Sequence, residues 1–418
     1  MKFINFLAIL LFLTSCSTSQ NYHSVDNRIN SKESQKKPYV LLISIDGYRW
    51  DYTEKYKPKF LTKFKETGSS VKSLRPSYPT KTFPNHLSLA TGRYPVNHGI
   101  IGNSFYAPTM REEYSLRNRE AVTDSRFYLA KPIWVLAEEQ NLLAATYFWP
   151  GSEAKIDGSL PSYYLTYNHN TPHEDRINTV IEWYKLPEEK RPHLTTLYFS
   201  DVDSAGHKYG PNSKEVKNAI IKVDQSIEKL NTELSKLNLP INIIIVSDHG
   251  MANVDSDKFE LIASEELKEE IKLSYKVIGK GPIVHFYVND NPQTNTISLL
   301  ERINKNASNF KCYDNKSTPK KLNFRDSERI GDFVCLANKG WSIGLSKGHL
   351  PKGNHGWSQY EGMEMHSILY AKGPNFKESF QANTINNIDI YPMIAKLLDL
   401  KIDHKIDGTI KYSKELLK

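Results

Sequence analysis

The chain has 418 residues, 39% of them apolar and 24% charged, with a formal net charge of +8. This length builds one large domain or up to about three, and the mixed composition excludes both a chain disordered throughout and a polytopic membrane protein. The positive charge suits polyanionic substrates or anionic lipid surfaces, but the lysines are scattered rather than gathered in a stripe, so binding to a nucleic-acid duplex is not expected.

Met1-Lys2 precedes the apolar run "FINFLAILLFL" and the ending "LTSC" at Cys16. A charge, a short apolar stretch and small residues, in that order, predict a secretory signal peptide over 1–15. The "LTSC" ending resembles a bacterial lipoprotein box. That resemblance implies acylation of Cys16 and an exported lipoprotein on a periplasm-facing or cell-surface membrane. Residues 16–37 are polar and lack apolar periodicity, so they read as a lipid-anchored flexible tether to a folded portion, 38–418.

The folded portion opens on "YVLLISIDG" (39–47), a nearly continuous apolar run that carries Asp46 out of its end. In "RPSYPTKTFPNHLSLATGRYPVNHGIIGN" (75–103), Pro84 and Asn85 predict a turn before the apolar-periodic "HLSLATG". The Thr82 hydroxyl would then lie near a helix N-terminus, where backbone N–H groups favour an anion. Taken alone, Thr82 or Asn85 would be only a cap. "LAATYFWPG" (143–151), "LTTLYFSDVD" (194–203), "INIIIVSDHG" (241–250) and "SILYAKGP" (367–374) repeat the pattern of the first run, that of strands covered on both faces.

Between the runs at 194 and 241, Val216, Ile220, Val223, Ile227, Leu230, Leu234 and Leu237 recur at helical spacing. A strand, helix and strand in that order predict a βαβ unit with parallel strands. Residues 252–345, rich in Lys, Glu and Asn, read as a small α+β insertion with "PIVHFYVND" as a strand. The insertion also carries Cys312 and Cys335, for which a disulfide is expected in an exported protein. The C-terminal "NIDIYPMIAKLLDL" predicts a helix with Pro392 near its start. The fold class is α/β, a mostly parallel central sheet with helices on both faces.

Ligands in open α/β sheets bind beyond the carboxyl ends of the strands. Three runs deliver Asp46, Asp203 with His207, and Asp248-His249 to that edge. A lone Asp there is ordinarily a cap or an Asx-turn. Several together repel unless a cation lies between them, and mixed Asp and His ligation suits zinc. Gly206, between Asp203 and His207, would permit the turn that brings both to one ion. His355 in "GNHGW" is a loop histidine that matters only because the set needs another ligand.

"DG" at 46–47, "PTKTFPNH", "NHGIIGN", "FWPGSE", "DVDSAGHKYGP", "SDHGM" and "GNHGW" resemble, in order, the motifs of the nucleotide pyrophosphatase/phosphodiesterase family of the alkaline phosphatase superfamily. The resemblance implies a catalytic domain over 38–418 and two zinc ions per chain. Asp203, His207 and His355 would bind one ion, and Asp46, Asp248, His249 and the Thr82 hydroxyl the other. Thr82 would be the nucleophile, and Asn103 would hold a phosphoryl oxygen. Phe83, Tyr167 and Tyr198 match aromatic positions of the nucleobase or leaving-group pocket. Asp201 is set aside because the Asp-x-x-Gly-His spacing selects Asp203. The expected activity is hydrolysis of nucleotide phosphodiester or pyrophosphate bonds through a nucleotidyl-threonine. The alternatives are a phosphomonoesterase, a phosphonate hydrolase or a lysophospholipid-type diesterase on the same scaffold and, in another class, a non-enzymatic surface lipoprotein.

Overall fold

The computed structural model describes residues 22–418 except 291, 293 and 294. The expected signal peptide and Cys16 therefore lie outside the described residues. The apolar runs become strands shorter than the runs themselves, because their polar endings leave the sheet. In chain order the first strands are β1 (His23–Ser24), β2 (Tyr39–Ile45), β3 (Ser69–Val71), β4 (Ala144–Tyr147), β5 (Tyr163–Tyr164), β6 (Leu194–Phe199) and β7 (Ile241–Val246). Then come β8 (Tyr275–Ile278), β9 (Ile283–Val288), β10 (Phe310–Asp314), β11 (Phe333–Ala337), β12 (Leu369–Lys372) and β13 (Phe380–Ala382). The principal helices are α1 (Thr82–Thr91), α2 (His173–Lys185), α3 (Asp201–Tyr209), α4 (Lys214–Ser235), α5 (Glu265–Ser274), α6 (Thr296–Asn306) and α7 (Ile390–Leu397).

Nine strands form the central sheet in the order β1-β5-β4-β6-β2-β7-β12-β3-β13. The run from β5 through β7 is parallel throughout; β1 and β12 run against their neighbours. The predicted βαβ pair, β6 and β7, is parallel, but the two strands flank β2 instead of each other. Every residue of β2 is buried. Val40 and Leu42 join Ile244 and Val246 in one core, while Leu41, Ile43 and Ile45 join Ile243 and Ile245 in the other. This two-sided burial explains the unbroken apolar runs, since alternate side chains face opposite layers. α1 and α7 cover the first face, and α2 and α4 the second. α4 buries Val216, Ile220, Val223, Ile227, Leu230 and Leu234, and the Ser213 side chain caps it by accepting from the Val216 N–H.

Residues 252–345 carry an antiparallel sheet of their own, β8-β9-β11-β10, with α5 and α6. Leu267, Ile271, Phe286, Ile303 and Phe333 form a separate core there, while Ile283 and Val334 pack into the main one. Cys312 and Cys335 face each other across β10 and β11 and are joined by a disulfide.

Two local expectations are corrected. Residues 22–37, expected within the flexible tether, lie against the body. His23 and Ser24 pair with β5, and Tyr22 packs edge-on against Tyr163 and Trp183. Asn30 is buried, donates to the carbonyls of Glu188 and Arg191, and accepts from the Leu143 N–H. Polar residues gave no apolar signal there because the docking is made largely by hydrogen bonds. Pro84 and Asn85 do not precede a helix; they lie in the first turn of α1, where proline's missing N–H costs little. Among the described residues, no helix is long and apolar enough to cross a membrane.

Candidate active site

β6, β2 and β7 are neighbours that end at one edge. Asp46 leaves β2, Ser247-Asp248-His249 leave β7, and β6 runs through Ser200 into α3. Asp203 and His207 are four apart on α3, so helical spacing, not a turn at Gly206, puts both side chains on one face. Gly206 instead supplies room, since a Cβ there would come within 2.9 Å of Met251. Gly47 has φ +68°, and its Cβ would sit 2.9 Å from Asp203 Cα. Only a residue without a side chain lets the β2 end approach α3 so closely.

The ligating atoms converge. His207 Nε2 and His355 Nε2 are 3.1 Å apart, and each lies 3.5 Å from Asp203 Oδ1. His249 Nε2 lies 3.5 Å from Asp46 Oδ1, 2.9 Å from Asp248 Oδ2 and 3.3 Å from Thr82 Oγ1. The Nδ1 atoms are engaged elsewhere, facing the carbonyls of Gly353 for His207, Thr80 for His355 and Gly250 for His249. Donation from Nδ1 leaves each Nε2 lone pair for a cation.

Three carboxylate oxygens at this centre, Asp46 Oδ1, Asp203 Oδ1 and Asp248 Oδ2, are buried without a hydrogen-bond partner. Buried polar atoms are almost always satisfied. Carboxylate oxygens and imidazole nitrogens crowded together in this way are what a divalent cation would satisfy, so the donor set fits the implied metals. Asp203, His207 and His355 form one possible ligand group, and Asp46, Asp203 and His249 another. Asp203 thus belongs to both, whereas the sequence placed it with one. Burial drives the Asp46 carboxyl well above its ordinary range, and Asp248 and Asp203 push it the same way. Burial acts equally against Asp248, but His249 and His86 outweigh it and hold that carboxyl low. Burial holds His355 well below the usual imidazole range, helped by the charges of His249, Lys81 and His207, so it is unprotonated, as a ligand must be.

Thr82 is the first residue of α1. Asn103 Oδ1 accepts from the Phe83 N–H at 3.1 Å, which turns the Asn103 amide toward the same helix end. Asn85 is a brace: it accepts from the Ser77 N–H and donates to the Pro79 and Lys81 carbonyls. Lys81 points its ammonium at Asn354 Oδ1, 3.3 Å away, and burial lowers it to about 8 against the pull of Asp203. Asp201, left out of the ligand set, contacts His173 and Lys222 at 2.8 and 2.7 Å.

A cavity of about 300 Å³ opens beside Thr82, Asp46, Asp203, His207 and His355, with Asn103, Phe83, Tyr167 and Tyr198 in its wall. Tyr198 also donates its hydroxyl to Asp46 Oδ2 at 2.5 Å, a contact the sequence did not suggest. Tyr167 is partly exposed and packs edge-on against Phe148. The sequence missed other members. Trp149 and Glu153 line the cavity from "FWPGSE", a stretch given no role, and Leu116 and Arg119 line it from a segment with no pattern. His86 lies beneath, with Nδ1 2.9 Å from the Thr82 carbonyl and Nε2 2.8 Å from Ser44 Oγ; the "PNH" in which it sits was its only signal.

A family model described as type I phosphodiesterase / nucleotide pyrophosphatase matches residues 40–358. Ectonucleotide pyrophosphatase/phosphodiesterase family member 1 of Homo sapiens is 38% identical over 376 residues, covering 87% of this chain and 40% of that protein. Venom phosphodiesterase 2 of Crotalus adamanteus is 35% identical over 374 residues, covering 87% of this chain and 45% of that protein. The chain thus spans less than half the length of these two relatives. Among solved structures, murine ectonucleotide pyrophosphatase/phosphodiesterase 5 superposes with a TM-score of 0.84 at 29% identity, covering 91% of this chain and all of that one. The same murine protein matches equally well as an inactive threonine-to-alanine form in complex with AMP.

Proposed function

The chain belongs to the type I phosphodiesterase / nucleotide pyrophosphatase family, and from that premise we propose that it hydrolyses nucleotide phosphodiester or pyrophosphate bonds with zinc, releasing a nucleoside 5'-monophosphate. The observation that carries this reading is the set of three orphaned carboxylate oxygens facing three histidine Nε2 atoms beside the Thr82 hydroxyl. Asp203, His207 and His355 would hold one ion, and Asp46, Asp248, His249 and Thr82 the other. Bound zinc supplies Lewis acidity and favours the alkoxide of a coordinated hydroxyl.

Thr82 Oγ1 forms the bond to phosphorus as the bond to the leaving oxygen breaks, and its proton passes to solvent. A water oxygen then forms a bond to phosphorus as the bond to Thr82 Oγ1 breaks, releasing the nucleoside monophosphate, and Thr82 regains a proton from that water. The Thr82 N–H at the start of α1 and the Asn103 side-chain N–H groups face the charge that grows on the phosphoryl oxygens, while the Phe83 N–H holds the Asn103 oxygen. The Phe83 and Tyr167 rings offer apolar faces to the substituent. Lys81 is turned to Asn354 instead of standing ready for the extra charge of a monoester, which favours a diester. The relative solved with AMP in an inactive threonine-to-alanine form supports a threonine in this role.

Kinetics of the zinc-loaded protein test the reading. The highest kcat/KM is expected on p-nitrophenyl thymidine monophosphate, above p-nitrophenyl phosphate and p-nitrophenyl phosphorylcholine. Thr82→Ala keeps its zinc by elemental analysis and loses about 10³-fold or more of kcat. Near-normal turnover in that variant, or preference for the choline ester, refutes the assignment.

A further inference from the structure

The motif "NHGIIGN" ends on Asn103, and its earlier residues have no part in the reaction above. Among the described residues, the Asn103 side chain has one hydrogen-bond partner, the Phe83 N–H. Its aim at a phosphoryl oxygen therefore depends on where the backbone on either side of it is held. Beyond it, Ser104–Ala107 and Glu112–Ser115 form a two-stranded hairpin. A lone hairpin is marginally stable, so its placement comes from what it packs against. Phe105 and Tyr114 stack within the main core, while Tyr106, on the opposite face, meets Tyr287 of the 252–345 insertion edge-on.

The insertion grips the chain on both sides of Asn103. Before it, the Gly99 carbonyl accepts from Arg329 Nη1 at 2.8 Å. After it, the Tyr106 N–H donates to the Tyr287 hydroxyl at 3.2 Å. That hydroxyl in turn donates to the Arg329 carbonyl at 2.7 Å, so the two grips form one unit. Both side chains are buried. Arg329 also donates to the carbonyls of Phe127 at 2.5 Å and Arg126 at 3.3 Å. A buried guanidinium is costly once its hydrogen bonds are lost, so the carbonyls it joins resist displacement. Gly99 has φ +89°, and a Cβ there would sit 2.5 Å from Arg329 Nη1. Only glycine admits that approach.

We propose that Arg329 and Tyr287 are positioning residues for the phosphoryl step: the insertion sets Asn103 by holding Gly99 and Tyr106. Neither residue lines the cavity, so both act through Asn103. The proposal rests on the diesterase reading and goes beyond it, because it gives the insertion a share in turnover.

Tyr287→Phe keeps the ring and removes both hydrogen bonds. In the zinc-loaded protein, its kcat on p-nitrophenyl thymidine monophosphate is expected to fall about tenfold, since a small misplacement of a catalytic group carries a cost of that order. KM and zinc content by elemental analysis stay near wild type. Made on an Asn103→Ala background, the same substitution is expected to change kcat by less than about twofold, because the group it positions is gone. Arg329→Lys, which keeps the charge but not the fork, shows the same pattern; where it fails to fold, Tyr287→Phe decides alone. Equal factors in the two backgrounds overturn the proposal, since they mark a structural loss that bypasses Asn103. So does a wild-type kcat in Tyr287→Phe. Amide hydrogen exchange reads the grip without turnover. Peptides covering 99–107 are expected to exchange faster in Tyr287→Phe than in wild type, with α4 unchanged; unaltered exchange across 99–107 also overturns the proposal. A wild type that hydrolyses no nucleotide diester removes the diesterase reading and the phosphoryl role with it, while faster exchange at 99–107 still marks the grip, which keeps the two failures apart.

Discussion

Tyr198 answers to two neighbours: its ring lines the cavity, and its hydroxyl holds one oxygen of Asp46 while the other faces His249. Tyr198→Phe separates the roles, because the ring stays and the hydrogen bond goes. Groups that orient a metal ligand are worth about 10–100-fold in metal affinity or activity. Zinc affinity in a chelator competition is expected to fall by about that factor, with little change in KM. A large rise in KM at unchanged zinc affinity would assign the hydroxyl to substrate instead. The candidate metal ligands were legible because Asp46 and Asp248 each end an apolar run and Asp203-x-x-x-His207 is a compact spacing. His355 had no pattern around it, and only the need for a further ligand drew attention to it. His86 stayed hidden because its partners are a backbone carbonyl and a distant side chain, which no spacing records.

At the scale of elements, the site exists because the end of β2 comes against α3. Gly47→Ala combines a left-handed φ with a Cβ 2.9 Å from Asp203 Cα. Gly158→Ala has a similar φ of +74° but nothing within 4 Å, so it measures the backbone penalty alone. That penalty is about 1–2 kcal/mol, and urea unfolding is expected to show Gly47→Ala losing clearly more, together with weaker zinc binding. Equal losses in the two variants would mean that the close approach carries no weight. The strands and α4 were legible from apolar spacing, whereas their order was not: a parallel strand can pair with any neighbour its crossover reaches, so β2 coming between β6 and β7 left no mark in the local pattern.

Across the whole molecule, burial keeps two histidines outside the candidate metal site neutral, lowering His98 to about 3 and His285 to about 4. The His98 Nε2 faces the Pro84 carbonyl and the His285 Nδ1 faces the Ile330 carbonyl. In the unfolded chain both take up a proton near the ordinary value of about 6.5. Their contribution to stability is therefore complete above that value and is lost as pH falls from about 6.5 toward 4, at up to about 1.4 kcal/mol per pH unit for each. Urea midpoints measured with chelator present, so that metal release is not counted, are expected to drop between pH 7.5 and 5; a flat profile contradicts the account. The segment before β2 belongs to this scale too. The short pairing of His23 and Ser24 with Tyr164 and Tyr163 seals one border of the central sheet. Starting the polypeptide later, for example at Pro38 for crystallisation, would bare a ladder of unsatisfied amides and carbonyls, an invitation to stack one molecule onto the next.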